Sequence, residues 1–577
     1  MKKLLLLLFP FLLLTSCSDD SPVKSNESQS IVFITDYEES SEFWINLKGQ
    51  LKTELSDAEI EYYKAEDFNI FDAANTLSIA NESYPAETIF IGYVEPGENS
   101  SMLIFQAQGK YFVFPDNGLG TFIMNKYPGN KAYRIEAADI TGNGENISKS
   151  RYFLNIIKSI KSDKEMSSFG PVEDNPEKLT ITEPSLDDGV LSGQIMQIDN
   201  FGNCVTNIKP ELVNEALNKD DFAVIMINGI EFKCKFGDDY SSVLTGSNVC
   251  LINSSGYLQF SVNKGNMSLR NSIQAGHSFT MKKALPVIGI LKYNESPVVE
   301  DILNSVKSRF NELGLSEENT RFIEKNAAGN ASALNGLIKE LMSQDPDVVI
   351  SVSTPASQAA VNELADSIPL IFTYVTDPQS AGLLNSARQA AGCSDATNFK
   401  DYLDFVDQLV DSLFKAGMIY SSNEANAIFA KESIDEFDTF YEFDVLFEGV
   451  TSDSEINGAF DKLNAENPEA FIVAADNMLS DNIEILAGLC SDHKIPLIGD
   501  SYEHSEKGAL ASISVNYEAL GQKTADMVMA TILGNQPDNR KVEYFKTELK
   551  AFNLKTAEKI GFNISEELKQ EAAYIFE

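Results

Sequence analysis

Histidine is scarce in this chain of 577 residues: only His277, His493 and His504 occur. Residues 1–276 contain none, so no mechanism there can use imidazole as a general base or metal ligand. Arginine is absent before Arg134. Basic charge is nowhere clustered, and the formal net charge of −41 excludes nucleic acid as a partner, because Lys and Arg must displace counterions from phosphates. Beyond the N-terminus no segment is apolar enough to cross a membrane. Of the six cysteines, Cys17 stands apart. Cys204, Cys234, Cys250, Cys393 and Cys490 lie in apolar stretches at no metal-ligand spacing and read as buried thiols, although export would permit a disulfide among those between 204 and 250. Neither a metal nor a cofactor is expected.

What is present begins with Lys2 and Lys3, followed by an apolar run from Leu4 to Leu14 broken only by Pro10. The run is too short to span a bilayer and reads as a signal peptide, residues 1–17. Leu14-Thr15-Ser16-Cys17 resembles the lipobox of bacterial lipoproteins, which implies that Cys17 is acylated and anchors the chain to a membrane. Residues 18–30 are polar, with too few apolar side chains to offset the entropy of ordering, and form a tether. Ser18-Asp19-Asp20 resembles acidic signals that route some lipoproteins outward. The expected location is the cell envelope: the periplasmic face of the inner or outer membrane, or the cell surface.

The remainder is α/β throughout. Over 31–165, β-rich runs such as Ile31-Val-Phe-Ile-Thr35 and Thr88-Ile-Phe-Ile-Gly-Tyr-Val94 alternate with amphipathic helical stretches, giving an α/β domain. Short strands and turn residues dominate over 166–284, giving a small β-barrel. From 285 to 577 regular β-α alternation sets in, with buried strands at Pro286–Leu291, Val348–Val352 and Pro369–Thr373. A second set at Gly417–Tyr420, Phe471–Ala474 and Pro496–Gly499 implies two parallel sheets, the second lobe spanning about 390–505.

Ile34-Thr35-Asp36, Lys48-Gly49, Pro115-Asp-Asn-Gly-Leu119, Ile198-Asp-Asn-Phe-Gly-Asn203, Thr206-Asn-Ile208 and Asn253-Ser-Ser-Gly-Tyr-Leu258 succeed one another in the order found in the S-adenosylmethionine hydroxide adenosyltransferase and halogenase family. The N-terminal half resembles that family over roughly 31–280. The resemblance implies a ligand held between the α/β domain and the barrel of a neighbouring subunit in a homotrimer. Asp36 would accept the ribose hydroxyls, Asp199 and Asn203 would hold the methionine amino and carboxylate ends, Phe201 would pack nearby and Ser254 would add a hydroxyl. The bare residues allow a plainer reading, in which Phe201-Gly202 is a turn capped by Asp199. The family's water-activating set is an Asp in a Val-Asp-Pro-Gly-Val-Gly stretch, a nearby Arg and a later His. Here the stretch is Val94-Glu-Pro-Gly-Glu-Asn99, and the Arg and His are missing. The sequence therefore shows neither base nor electrostatic partner for hydrolysis, and no catalytic residue is assigned.

In the C-terminal half, Ser296-Pro297, Ser353-Thr-Pro-Ala-Ser-Gln358, Phe372-Thr-Tyr-Val-Thr-Asp-Pro378, Gly392-Cys-Ser-Asp395, Ile419-Tyr-Ser-Ser-Asn-Glu-Ala-Asn426, Ala475-Asp-Asn477 and Gly499-Asp500 occur in sequence. This half resembles the ABC-transporter substrate-binding proteins of the tryptophan and tyrosine receptor type, with a periplasmic-binding-protein-like pair of lobes. Most of these motifs fall where a strand ends, the place where open α/β sheets bind ligands. Ser353 and Thr354 precede Pro355, a good first helical residue, so hydroxyls and backbone N–H groups there could hold a carboxylate. Thr376 and Asp377 repeat the arrangement. Asp476 with Asn477 could pair with an ammonium. Ser296, Gln358, Asp395, Asn423, Glu424 and Asp500 complete the candidate set; helix capping is the structural alternative for several of them. His493 and His504 read as surface residues.

The expectation is a lipid-anchored substrate-binding protein of an ABC uptake system. It would close two lobes on an amino acid, aromatic by resemblance, and deliver it to permease and ATPase subunits. The alternative is an exported enzyme releasing adenosine from S-adenosylmethionine, or a receptor for a nucleoside or methionine derivative.

Overall fold

The computed structural model describes residues 29–95, 100–142, 147–384, 390–535 and 541–577. Cys17, the signal peptide, Ser18-Asp19-Asp20 and residues 96–99 of the Val94–Asn99 stretch lie outside them. Two compact units divide the chain, Met1–Ile181 and Thr182–Glu577.

The first unit is built on a seven-stranded sheet in the order Glu59–Lys64, Ser30–Thr35, Ile89–Tyr93, Lys110–Pro115, Met102–Ala107, Ala132–Arg134, Val172–Glu173. The first four run parallel and the rest antiparallel. Helices cover both faces: Glu42–Glu54 and Lys149–Lys161 pack on one, Ile70–Ser83 and Thr121–Lys126 on the other. This double cover explains why Ile31 to Ile34 form an unbroken apolar run and not an alternating one. Residues 166–181, expected with the barrel, contribute the edge strand Val172–Glu173 to this sheet.

In the second unit seven strands close a barrel. Its order is Cys204–Thr206, Leu258–Val262, Asn248–Ile252, Ile230–Phe236, Phe222–Ile227, Ser278–Ala284, Val190–Ile198, and the ring shuts because Cys204 pairs with both Phe260 and Ile198. A short eighth strand, Ser185–Asp187, branches from Val190–Ile198. Cys204, Cys234 and Cys250 are buried in and around the barrel core outside any disulfide, and Cys393 and Cys490 are likewise buried and unbridged. Barrel and first lobe are packed as one body: Phe222, Val243, Val249 and Leu251 share a core with that lobe, and Lys233 pairs with Asp347.

The first lobe has a parallel sheet in the order Arg321–Asn326, Val287–Lys292, Val348–Val352, Leu370–Thr373, Ala390–Ser394, Val542–Tyr544. The second lobe runs Asp444–Val450, Lys415–Ser421, Ala470–Val473, Leu497–Gly499, Ala511–Val515, Thr547–Asn553, Ala572–Phe576. It differs from its expected span of 390–505. Ala390–Ser394 pairs with Leu370–Phe372 in the first lobe, and the chain after Thr547 returns to the second. The chain crosses between lobes after Ser394, after Val515 and after Tyr544, and Asn398 N–H donates to Thr547 Oγ1 at 2.8 Å, tying two crossings together. Helix Tyr517–Ile532 packs on Pro297–Glu312 so closely that a Cβ on Gly521 would lie 2.5 Å from the Ile302 carbonyl oxygen.

Candidate functional site

Loops leaving the C-terminal ends of strands in both lobes converge on one cavity. It is lined by Thr354, Tyr374 and Thr376 of the first lobe, Asp395 and Thr397 at a crossing, Asn426, Ala475, Asp476, Asn477, Ser480, Asp500 and Ser501 of the second, and Tyr517 at another crossing. Backbone conformation is unusual at this place. Ser353, Tyr374 and Ala475, each just beyond a strand end, take φ of 81°, 58° and 48°. Non-glycine residues rarely adopt such angles, and they concentrate where the fold over-determines a site.

The electrostatics are lopsided. Asp395, Asp476 and Asp500 all face the cavity, and among the described residues its lining contains no Lys, Arg or His. Asp476 is well satisfied: its carboxylate accepts from Ser421 N–H at 2.6 Å, Ser421 Oγ at 2.7 Å and Leu479 N–H at 2.9 Å. Asp500 accepts from Ala475 N–H at 2.7 Å. Asp395 Oδ1 is buried and has no hydrogen-bond partner among the described residues. Burial, helped by the nearby Asp500 charge, pushes the Asp395 carboxyl up to about 7. Burial and then Glu424 push Asp476 up to about 7. Burial pushes Asp500 up to about 6, against the bond from Ala475. Such a set attracts a cation that carries N–H donors. Among the described residues no cluster of His, Cys, Asp and Glu could hold a metal ion.

A second kind of group lies beside it. Helix Thr354–Glu363 starts at the cavity with Pro355 in its first turn, and Ser353 Oγ is buried without a partner among the described residues. Free N–H groups at a helix N-terminus with adjacent hydroxyls suit a carboxylate. Tyr374 and Tyr517 meet edge to face, with ring centroids 6.0 Å apart, and burial keeps both phenols neutral.

Of the residues singled out in the sequence, Thr354, Thr376, Asp395, Asp476, Asn477 and Asp500 line this cavity, and Ser353 adjoins it. Several others do not line it. Ser296 caps helix Pro297–Glu312, accepting from Val299 N–H at 3.3 Å. Asp377 caps the next turn through Gln379 and Ser380 N–H. Asn423 is exposed, and Gln358 sits half-buried on its helix. Glu424 stands behind the lining, where it accepts from Asn477 and Met478. Local capping and packing account for these positions.

Tyr374, Thr397, Ser501 and Tyr517 join the lining without having been candidates in the sequence, although each lies within a few residues of a strand end. Asn426 and Ser480 enter from helices and carry no such signal. His504 is a correction. Expected at the surface, it is 1% exposed. Its polar helix Tyr502–Glu506 is buried because neighbours satisfy it internally: Ser505 Oγ bonds Ser512 Oγ, and Asn553 Nδ2 donates to the Ser505 carbonyl, each at 2.8 Å. His493 is exposed.

The N-terminal set falls in different units. In the first, Asp36 Oδ2 accepts from Phe68 N–H at 3.2 Å and Glu95 N–H at 3.1 Å, while Oδ1 is buried without a partner among the described residues. Glu95 is not without an electrostatic partner, as its stretch of sequence suggested. Lys149 bonds its carboxylate and the Tyr37 hydroxyl, with its ammonium 4.7 Å from the Tyr93 ring centroid. The partner is far away in sequence and is a lysine, so inspection near Glu95 misses it. Burial opposes that charge, but the bonds to Glu95, Tyr37 and Tyr93 hold Lys149 protonated above the ordinary lysine range. In the second unit Asp199 caps its own turn, accepting from Phe201 and Asn203 N–H at 2.9 Å and from Asn203 Nδ2 at 2.8 Å. Phe201 is 76% exposed and Ser254 is exposed.

Similarity to known proteins divides the chain elsewhere, between residues 280 and 287. A family profile described as ABC transporter substrate binding protein matches residues 287–575. Profiles for the N-terminal and C-terminal domains of SAM hydroxide adenosyltransferase match 31–170 and 193–280. The chain is 27% identical over 252 residues to a tyrosine-binding protein of Clostridioides difficile (strain R20291), covering 43% of this chain and 72% of that protein. It is 28% identical over 247 residues to an (R)-S-adenosyl-L-methionine hydrolase of Methanocaldococcus jannaschii, covering 40% of this chain and 87% of that protein. Among solved structures, an ABC domain in complex with L-Trp from Streptococcus pneumonia covers 51% of this chain and 100% of its own at 23% identity and a TM-score of 0.48.

Proposed function

This chain belongs to the ABC transporter substrate-binding protein family, and we propose that its lobes close on an amino acid with an aromatic side chain. Membership implies a small-molecule ligand, ABC transporter partners and an extracytoplasmic location. The observation that carries the choice of ligand is the facing of Asp395, Asp476 and Asp500 on a cavity whose described lining has no cationic side chain, beside the start of helix Thr354–Glu363. The carboxylates take the ammonium, while the helix terminus with Ser353 and Thr354 takes the carboxylate. Tyr374 and Tyr517 offer an aromatic wall, which agrees with the tyrosine named for the Clostridioides difficile relative. Groups from both lobes meet the ligand, so its contacts favour the closed state.

Calorimetry of the full chain should give saturable heat with L-tyrosine or L-tryptophan. Tyramine, which lacks the carboxylate, should bind at least about tenfold more weakly. Tyramine binding as tightly as tyrosine would remove the role given to Ser353 and Thr354.

Anchoring through acylated Cys17 belongs to the same proposal and rests on the lipobox-like Leu14–Cys17. Labelled palmitate should enter the protein in a bacterial host and be lost with Cys17→Ser; unchanged labelling of that variant would refute the anchor.

The N-terminal half is proposed to be non-hydrolytic. Glu95 is engaged by Lys149 and Tyr37, and the Asp, Arg and His set is not retained. Incubation with S-adenosylmethionine should release no adenosine. Release that Asp36→Ala stops would establish the enzyme instead. A trimer through this half, implied by the resemblance, would give three times the chain mass in light scattering.

A further inference from the structure

Behind the cavity wall stands the buried ring of His504. Its Nε2 lies 2.8 Å from Ser480 Oγ, and Ser480 lines the cavity. Its Nδ1 has no hydrogen-bond partner among the described residues and faces Asp500 Oδ1 at 3.6 Å. Gly499 makes room for this placement, since a Cβ there would collide with Nδ1. Burial pushes His504 down to about 3, so the imidazole is neutral and carries a single N–H. The nearby cation Lys507 is paired with Glu503.

A neutral imidazole has one donor and one acceptor nitrogen. The Ser480 hydroxyl faces the ring on the Nε2 side and the Asp500 carboxylate on the Nδ1 side. A proton on Nδ1 is attracted to it, whereas a lone pair there would be repelled. With the proton on Nδ1, Nε2 must accept, and the Ser480 hydroxyl must donate to it. The remaining lone pairs of Ser480 Oγ then face the cavity with no proton to offer.

We propose that His504 is a specificity-determining residue that acts through Ser480, fixing this hydroxyl as an acceptor so that at this point of the second-lobe wall Ser480 accepts from, and does not donate to, the ligand. Ser480 thereby joins Asp395, Asp476 and Asp500 in a surface that selects a primary ammonium and rejects a ligand end lacking N–H. A rotating hydroxyl could adapt to either kind of group, and the histidine removes that freedom. This inference rests on the amino-acid reading above.

The test measures the affinities of L-tyrosine and L-tryptophan relative to 3-(4-hydroxyphenyl)propionate and 3-(indol-3-yl)propionate, which lack only the amino group. In His504→Phe and in Ser480→Ala the preference for the amino compounds should fall about tenfold, through weaker binding of the amino compounds alone. Long-range proton–nitrogen NMR on the histidine-labelled full chain should show His504 protonated on Nδ1 and bare on Nε2, and this signal needs no variant that must fold. An unchanged preference in both variants, or a proton on Nε2, overturns the proposal while leaving the receptor reading intact. Failure of every amino acid to bind overturns the receptor reading and the proposal with it.

Discussion

Asp395→Asn is expected to weaken binding of L-tyrosine or L-tryptophan by about 30-fold to several thousandfold at pH 8, while raising the melting temperature of the ligand-free protein. The two effects have one origin. Asp395 Oδ1 is buried and unpartnered among the described residues, and burial holds the carboxyl up at about 7. Ionisation at pH 8 therefore costs folding free energy, which a ligand cation offsets. Asparagine keeps the shape and removes both the cost and the ion pair. Loss of one partner of a buried charge pair commonly costs about 2–5 kcal/mol of binding, the basis of the range given. The gain in melting temperature should shrink at pH 5, where the wild-type carboxyl is itself protonated. Calorimetry and thermal melts at both pH values measure this, and unaltered affinity at pH 8 would remove Asp395 from the site.

A second large effect is a reversal between stability and affinity with pH. Asp395 and Asp476 are held up at about 7 and Asp500 at about 6. These values exceed those of the unfolded chain, near about 4. Between about pH 4 and 7 the folded protein thus holds protons that the unfolded chain has released, so their contribution to stability is present below about 4 and is lost as pH rises through about 6 to 7. An ammonium ligand favours the ionised carboxylates, so affinity should increase over the same interval and binding should expel protons. At about pH 6.5 the binding heat should vary with the ionisation enthalpy of the buffer, and this proton release should shrink towards about pH 8, where the carboxylates are already ionised. Buffer-independent heats at the lower pH, or affinity falling from about pH 5.5 to 8, would contradict the ammonium pairing.

The visible parts of this site are those that sit at strand ends. Val348–Val352, Leu370–Thr373 and Ala470–Val473 are apolar runs buried on both faces. Their ends are legible, and so are Ser353, Thr354, Thr376 and Asp476 just beyond them. Two kinds of information are not legible. Ser480 and Asn426 reach the cavity from helices, where a polar residue looks like solvated surface. His504 reads as surface because Tyr-Glu-His-Ser-Glu has the composition of a loop, whereas hydrogen bonds with distant Ser512 and Asn553 offset the cost of its burial. Lys149 beside Glu95 is the same lesson in the other half: a charge partner 54 positions away has no local signature. The lobe boundaries slip for a topological reason, since the chain crosses three times and a reading along the chain sees only a succession of strands.

The shared core of the barrel and first lobe means that the seam between the two families is not a physical one. The matches end and begin between residues 280 and 287, but cutting there would strip Phe222, Val243, Val249 and Leu251 from the lobe's interior and leave Asp347 without Lys233. A fragment starting at residue 285 would expose a greasy scar and aggregate, whereas one starting near Thr182 keeps the unit whole. Whatever joined the two sequences, the wound has healed, and the barrel now travels with the receptor as part of its frame.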